Sequence, residues 1–436
     1  MKQKKKPNFS RRSFIQNAVF NAFALTMGIP LFSFQRKETV GAKFHSESKV
    51  ANNASFDWNQ VRSQFILAED RTYFNFGSVG LCPNRVIEKV YDSMLYMERK
   101  GFSGHPLYYR SREVMSRFFN IKKSELAFTR NTTEGINTIA RSLLFKKGDE
   151  IIISSEEHIG GSAPWLALRN DIGVKIILVD LDLSGKTNFE RIKSLVTKKT
   201  KAICISHVTC TTGMILPVKK VIELCRKNNI YSIIDGAQAV GMIPVDISQL
   251  NPDFYVASGH KWLMGPKGTG ILFINNRIIT QYDPHYVGSY SDSKFDLKNL
   301  TLEYRETAER IEYGTRNAPL ILGLGEAAKF MEEIGIEVVS SRGKELATYF
   351  RNEISSHPQI EVLSPSDKKY FNSIMTFRIK NIDNIAFSRK LQKTHSVFLR
   401  GIHENNYNAL RASFHIQNSK KEVDRLVNLI LAKASE

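Results

Sequence analysis

The chain has 436 residues, 42% of them hydrophobic and 24% charged, values of a globular protein that exclude wholesale disorder and allow a large core with more than one domain. Its net charge of +19 leaves anionic partners open, but no Arg/Lys stripe interleaved with aromatics runs through it, so nucleic-acid binding is not expected. Four cysteines (Cys82, Cys204, Cys210 and Cys225) are too few for a disulfide scaffold and fit no zinc spacing, so free, mostly buried thiols and no metal site are expected.

Residues 1–42 carry eight Lys/Arg and a single acid, Glu38, ahead of and around an apolar run from Ala18 to Phe34. A basic head before a short apolar segment has the layout of a secretory signal. Ser10-Arg11-Arg12-Ser13-Phe14-Ile15-Gln16 resembles a twin-arginine export signal, which implies the twin-arginine machinery as a partner and a periplasmic location. Val40-Gly41-Ala42 offers small residues for cleavage; the alternative is an uncleaved helix that anchors the chain to the membrane.

Beyond this signal, Leu67–Gly80 is rich in loop residues and Asn84–Lys100 has helical patterning. Short runs rich in Ile and Val then recur: Glu150–Ser154, Lys175–Asp180, Lys201–Ser206, Tyr231–Asp235, Phe254–Ser258 and Gly270–Ile274. Helix-like stretches such as Pro217–Asn228 separate most of them. Strands apolar on both faces and joined by helices predict an α/β domain with a mainly parallel sheet. Ligands in such sheets gather at the carboxyl ends of the strands, which places Ser154, Ser206, Asp235 and Ser258 on one rim. From Leu324 to His357 the pattern is long and amphipathic, and short strands and helices then predict a smaller α+β unit. The expected organisation is a signal at 1–42, a lead-in segment plus large α/β domain at 51–323, and a linking helix plus small carboxyl-terminal domain at 324–436.

The chemistry concentrates in two stretches. In "IIDGAQAVG", Asp235 ends a buried strand, where it can cap the next turn or hold a cationic ring nitrogen, and Gln238 lies within reach of the same ligand. In "SGHKWLMGPKGTG", Lys261 follows the next strand. Taken alone, one lysine is usually a surface residue, but in a dry pocket its amine becomes a nucleophile for Schiff-base chemistry. Gly265, Gly268 and Gly270 are expected to let the backbone pack closely on a bulky ligand. The "GPKGTG" run does not have the order of a Walker phosphate loop.

Together these motifs resemble the class V aminotransferase family of fold-type-I, pyridoxal-phosphate-dependent enzymes, which includes isopenicillin-N-epimerase-like proteins and cysteine desulfurases. The likeness runs from about Asp57 to Ala432. It implies a large domain with a seven-stranded, mainly parallel sheet and a smaller α+β domain. It also implies that Lys261 forms the internal aldimine, that Asp235 keeps the pyridine nitrogen protonated, and that Gln238 donates toward the phenolate oxygen. "TRNTTEGIN" resembles the phosphate-binding turn, with the Thr132 N–H and the Thr133 hydroxyl at a helix N-terminus. Without the resemblance the same residues read as a helix cap. Ser258 and His260 are implied as further phosphate contacts, and His158 of "EEHIGGSAPW" as the imidazole over the ring. Gly314 and Thr315 of "RIEYGTRN" are implied to close the phosphate pocket, often from the neighbouring subunit, hence a homodimer. Arg411 of "LRASFHIQN" is implied to clamp the α-carboxylate of an amino-acid-like substrate.

Two features depart from the desulfurase members. Cys210 stands where they usually have asparagine, and "SVFLRGIHENNYNALRAS" lacks the mobile nucleophilic cysteine they require, so persulfide formation on the protein is not expected. The expected activity is that of a class V aminotransferase or epimerase-like enzyme, with a C–S or other β/γ-lyase as the alternative. A degenerate, non-catalytic homologue is disfavoured by the intact Asp235, Gln238 and Lys261. Specificity is expected from Phe76–Pro83 and Gly101–Arg112.

Overall fold

The computed structural model describes residues 56–436; the export signal expected at 1–42 lies outside them. In chain order the principal elements begin with helices α1 (Asn84–Lys100) and α2 (Tyr108–Phe118). Strand β1 (Leu126–Thr129), α3 (Thr132–Ser142), β2 (Glu150–Ser154), α4 (Ile159–Ile172) and β3 (Lys175–Val179) follow. After β4 (Thr200–Ser206) come α5 (Val218–Lys227), β5 (Tyr231–Asp235), β6 (Phe254–Ser258) and β7 (Gly270–Ile274).

These seven strands form one sheet in the order β1-β7-β6-β5-β4-β2-β3. Only β7 runs against its neighbours, β6 and β1. Both faces are covered, which is why the strands read as near-continuous apolar runs. Alternate residues divide between two cores: Ile203, Ile205 and Ile234 face one, Ala202, Cys204 and Ile233 the other. The chain moves outward from β2 to β3 and returns with β4 on the other side of β2. That reversal opens a crevice at the carboxyl ends of β2 and β4, where ligands of such sheets bind. The expected rim is present, with Ser206 opposite Asp235 across β4 and β5.

Strand β1 was not legible in the sequence. It is four residues long and lies at the sheet edge, and side chains cover its free backbone groups. Glu312 accepts from the Phe128 N–H at 2.7 Å, Arg112 donates to the Leu126 carbonyl, and Arg316 donates to the Phe128 carbonyl at 2.6 Å. Glu312 and Arg112 also pair at 2.8 Å, with side chains only 1% and 5% exposed.

A projecting hairpin, β8 (Asp292–Asp296) and β9 (Thr301–Tyr304), precedes the helices α6 (Ala318–Ile334) and α7 (Ile336–Ile354). The stretch 324–357, expected as one amphipathic run, is therefore broken at Gly335. Helix α6 belongs to the core beneath the large sheet, whereas Leu346, Phe350 and Ile354 of α7 belong to a separate core. That second core is closed by β10 (Ile360–Val362), β11 (Ile374–Ile379), α8 (Asn384–His395), β13 (Ala409–Ser413) and α9 (Lys420–Ser435), while Ile402 of the edge strand β12 (Arg400–Ile402) packs with Leu363 and Ala409. Its strands form an antiparallel sheet in the order β10-β11-β13-β12. The lead-in segment joins this layer. Thr72 and Tyr73 pair with Val397 and Phe398, and Phe74 is buried in the second core.

Removing one partner of a buried ion pair leaves an uncompensated charge, so Glu312→Ala is expected to cost about 3–5 kcal/mol. Glu113→Ala, at the exposed Lys123 pair, is expected to cost less than about 1 kcal/mol. Urea unfolding of the two variants measures the difference; equal, small losses contradict this account of the β1 edge.

Candidate active site

A cavity of about 440 Å³ opens at the crevice. Lys261 reaches it from the turn after β6, and Asp235 from the end of β5. Thr132, Thr133, His158, Gln238, Ser258 and His260 line it as well, so eight of the expected site residues converge there. Arg411 is fully buried behind the wall. Its guanidinium donates to the Cys210 carbonyl at 2.6 Å, Ser78 Oγ at 3.0 Å and Asn75 Oδ1 at 3.3 Å, all neutral acceptors. Gly314 and Thr315 do not line this cavity. The Gly314 N–H donates to the Ser289 carbonyl, and Thr315 is exposed.

Burial sets the electrostatics. It lowers the proton affinity of the Lys261 amine, partly opposed by Asp235. It raises that of Asp235, partly opposed by the N–H of Ala237, which donates to Oδ1 at 2.8 Å, and by Lys261. His158 caps α4 by accepting the Gly160 N–H on Nδ1 at 3.0 Å. Burial, with Lys261 and Arg400 nearby, pushes its imidazole down to about 4, so it is neutral at physiological pH. The Gln238 amide is fixed at both ends: Oε1 accepts from Trp262 Nε1 at 2.7 Å and Nε2 donates to the Gly77 carbonyl at 2.8 Å. One hydrogen on Nε2 remains for a ligand.

At the head of α3, Asn131 caps the helix through the Glu134 N–H, and the Thr132 hydroxyl meets Ser258 Oγ at 2.8 Å. His260 Nδ1 is buried with no hydrogen-bond partner among the described residues. An eleven-residue helix N-terminus flanked by hydroxyls and an unpartnered imidazole nitrogen suits a phosphate. The backbone is cut back where ligand and chain meet. A Cβ on Gly160 would lie 2.3 Å from Thr133 Oγ1, and one on Gly80 would lie 2.0 Å from the Lys261 carbonyl. The expectation for Gly265, Gly268 and Gly270 needs correction, because none of them lines the cavity. Gly265 packs on the Gly259 carbonyl and Gly270 on Ala257 and Thr129, so they set the turn into β7 instead. Of the two stretches expected to set specificity, 76–83 supplies Gly77 and Ser78, and 101–112 supplies nothing to the lining.

Two polar residues at the site were not anticipated: Arg400, on the cavity lining, and Glu157. Glu157 accepts from Ser154 Oγ, the Ser206 N–H and Ser206 Oγ at 2.5–3.0 Å and lies beside Asp235. The acid next to His158 in "EEHI" was the available signal.

This donor set fits pyridoxal phosphate: an anion cradle, a buried acid for a ring nitrogen, and a buried primary amine. Fold and site define a fold-type-I pyridoxal-phosphate enzyme. The chain belongs to the aminotransferase class-V family, which it matches over residues 98–426, and pyridoxal phosphate is its cofactor. It is 30% identical over 383 residues to a probable cysteine desulfurase of Borreliella burgdorferi, covering 81% of this chain and 90% of that protein. The apo cysteine desulfurase of Thermococcus onnurineus NA1 superposes with a TM-score of 0.80 at 24% identity, covering 86% of this chain and 98% of that one. A mutant of C-DES with glycine covalently linked to its cofactor superposes at 0.79 with 25% identity, covering 85% and 98%. C-DES is also known as a cystine C–S lyase in complex with its reaction product, cysteine persulfide.

Burial pushes the Glu157 carboxyl up to about 7, and Asp235 adds to the push. A carboxyl so raised contributes stability that is present below its unfolded pKa and lost as the pH rises through the folded one. Glu157→Gln removes that loss. The melting temperature of the variant relative to the parent is therefore expected to rise from about pH 5 to about pH 8. A difference independent of pH would mean that Glu157 is ionised throughout.

Proposed function

We propose that the protein is a pyridoxal-phosphate-dependent C–S lyase that acts on a sulfur-containing amino acid without carrying the sulfur on a cysteine of its own. The observation that supports this reading is the state of its thiols. Cys210 is the one cysteine on the cavity lining, and burial pushes its thiol up to about 11. Cys82 lies off the cavity, donates to the Gly265 carbonyl, and is also raised by burial. Cys204 and Cys225 are buried, again with raised thiols. A thiolate, not a thiol, is the nucleophile in persulfide formation. The relatives described as cysteine desulfurases, and the C–S lyase C-DES, favour sulfur chemistry over transamination or epimerisation.

In this reading Arg411 pairs with the substrate α-carboxylate, which no protein carboxylate contests. Asp235 holds the ring nitrogen, the head of α3 with Ser258 and His260 holds the phosphate, and the neutral His158 lies against the ring. Bound pyridoxal phosphate supplies the electron sink for the pair left on the substrate α-carbon. Lys261, whose proton affinity burial lowers, takes the α-proton and gives a proton to the departing sulfur. The substrate thereby loses RSH, and the residual aminoacrylate reacts with water to give pyruvate and ammonium. Gly314 and Thr315 complete the phosphate pocket of a second subunit, and residues 1–42 export the folded protein.

The loaded protein is expected to convert L-cysteine or a cysteine derivative to pyruvate in step with released sulfide, thiol or persulfide, with no sulfur added to the protein by intact mass. Lys261→Ala should lower the rate by about 10²–10⁴-fold and abolish the borohydride-reducible link to the cofactor. Alanine with sulfur left on the protein, or amino transfer to a keto acid in place of pyruvate, would contradict the proposal.

A further inference from the structure

Strands β2, β4, β5 and β6 are parallel and point their carboxyl ends at the cavity, so their amino ends share the opposite edge of the sheet. Six exposed lysines stand on that edge: Lys146 and Lys147 ahead of β2, Lys198, Lys199 and Lys201 at the start of β4, and Lys227 ahead of β5. None of the six ammonium groups has an ion pair or a hydrogen bond among the described residues. Three acids of the same edge are already engaged. Asp171 pairs with Arg141 at 2.5 Å, Asp253 pairs with Arg277 at 2.7 Å, and Asp149 accepts the Lys146 backbone N–H at 2.8 Å. A cation in the last turn of a helix complements its dipole, which accounts for Lys227 in α5. The other five have no such role, and crowded like charges work against the compact state.

The same edge holds an apolar tip in water. Leu144, between α3 and β2, is 88% exposed, more than any other large hydrophobic residue among the described ones. Its neighbours fix it there. Leu143 and Phe145 both pack on the core, and the Phe145 N–H donates to the Leu143 carbonyl at 3.0 Å, which turns the chain sharply at Leu144. Beside this turn lies a depression of about 780 Å³, which Leu144 lines together with the buried Leu143, Ile230 and Ile278 and the exposed Lys146, Lys201 and Arg226. A nucleic-acid backbone would neutralise the lysines and leave the leucine in water. A bilayer with anionic headgroups takes both: the headgroups draw in the ammonium groups and the leucine enters the acyl boundary. Lysine suits such a boundary, because its long stem lies along apolar surface while the ammonium stays among the headgroups.

We propose that this edge is a docking surface for a lipid bilayer containing anionic lipid, with Leu144 as the inserted tip and Lys146, Lys147, Lys199 and Lys201 among the headgroups. The cavity that holds Lys261, at the other ends of the same strands, then faces the aqueous phase. The surface belongs to the folded domain and is separate from residues 1–42. It does not depend on which reaction the site performs.

The test uses the full chain loaded with pyridoxal phosphate and vesicles of phosphatidylcholine with brominated acyl chains, with and without phosphatidylglycerol. Bromine quenches a tryptophan that reaches the acyl region. The reporter is Leu144→Trp, and the control is Ile159→Trp, 72% exposed at the head of α4 on the opposite edge. The parent protein, with Trp58, Trp165 and Trp262, supplies the background. Quenching is expected at position 144 with phosphatidylglycerol present, and not at position 159. Adding Lys146→Gln and Lys147→Gln to the reporter should raise the lipid needed for half-quenching about tenfold or more. All these positions are exposed, so the variants keep the core intact, and the absorbance of the bound cofactor checks that they fold. No quenching at 144, equal quenching at 144 and 159, or no shift on losing the two lysines overturns the proposal; equal quenching is what tethering through residues 1–42 alone would give. Single-stranded DNA that binds the parent and Leu144→Ser equally well, with vesicles leaving position 144 unquenched, would make the edge a nucleic-acid surface instead.

Discussion

The site exists because a short turn segment, Asn75–Gly80, is clasped between the two layers of the molecule. On one side the Gly80 N–H donates to the His260 carbonyl at 2.7 Å and Gln238 donates to the Gly77 carbonyl. On the other side Asn75 and Ser78 accept from Arg411, and the Ser413 N–H donates to the Phe74 carbonyl. Lys261 comes from the large sheet and Arg411 from the small one, and this segment sets the distance between them. The contact leaves no room for side chains. A Cβ on Gly77 would lie 2.8 Å from the Arg411 guanidinium, and one on Gly80 would overlap the Lys261 backbone. His415 adds a direct tie between layers, with Nε2 at 2.8 Å from the Trp262 carbonyl.

Around this clasp the protein keeps charges that folding alone would eliminate. Lys261, Asp235 and Arg411 have no ion pair inside 4 Å among the described residues, whereas the structural ions Arg112 and Glu312 pair closely. Buried charges left without partners are costly, and they persist where a ligand supplies the missing countercharge. Arg411 illustrates the point: burial lowers even its guanidinium to about 10, and every acceptor it has is neutral. In the proposed reading, a substrate carboxylate would relieve that deficit.

Much of this was legible in the sequence because the large sheet is buried on both faces. Strands β2, β5, β6 and β7 have the bounds that their apolar runs indicate. Ser154, Ser206, Asp235 and Ser258 could be placed on one rim because in a parallel sheet the ends of successive strands share an edge. What escaped detection depends on contacts between distant residues. Strand β1 is completed by Glu312 and Arg112, which lie 184 and 14 residues from the backbone groups they satisfy. The glycines after Lys261 were misread because a turn into an antiparallel strand and a ligand cradle demand the same residue type. Arg400 was overlooked because its meaning comes from the strand register that sets it opposite Arg411.

The proposed lyase reading does not require the loop between those two arginines to move. An enzyme that receives sulfur on its own thiol must bring that thiol to the substrate and then carry it away, so the supporting loop has to move. In this chain residues 404–407 are bonded to Glu156 beneath them and to Arg400 beside them, and Asn405 adds a further bond to the Ser155 carbonyl at 3.0 Å. A loop held by a buried carboxylate has little freedom to shuttle, and it contains no thiol to shuttle with. In this protein Glu156 does the pinning.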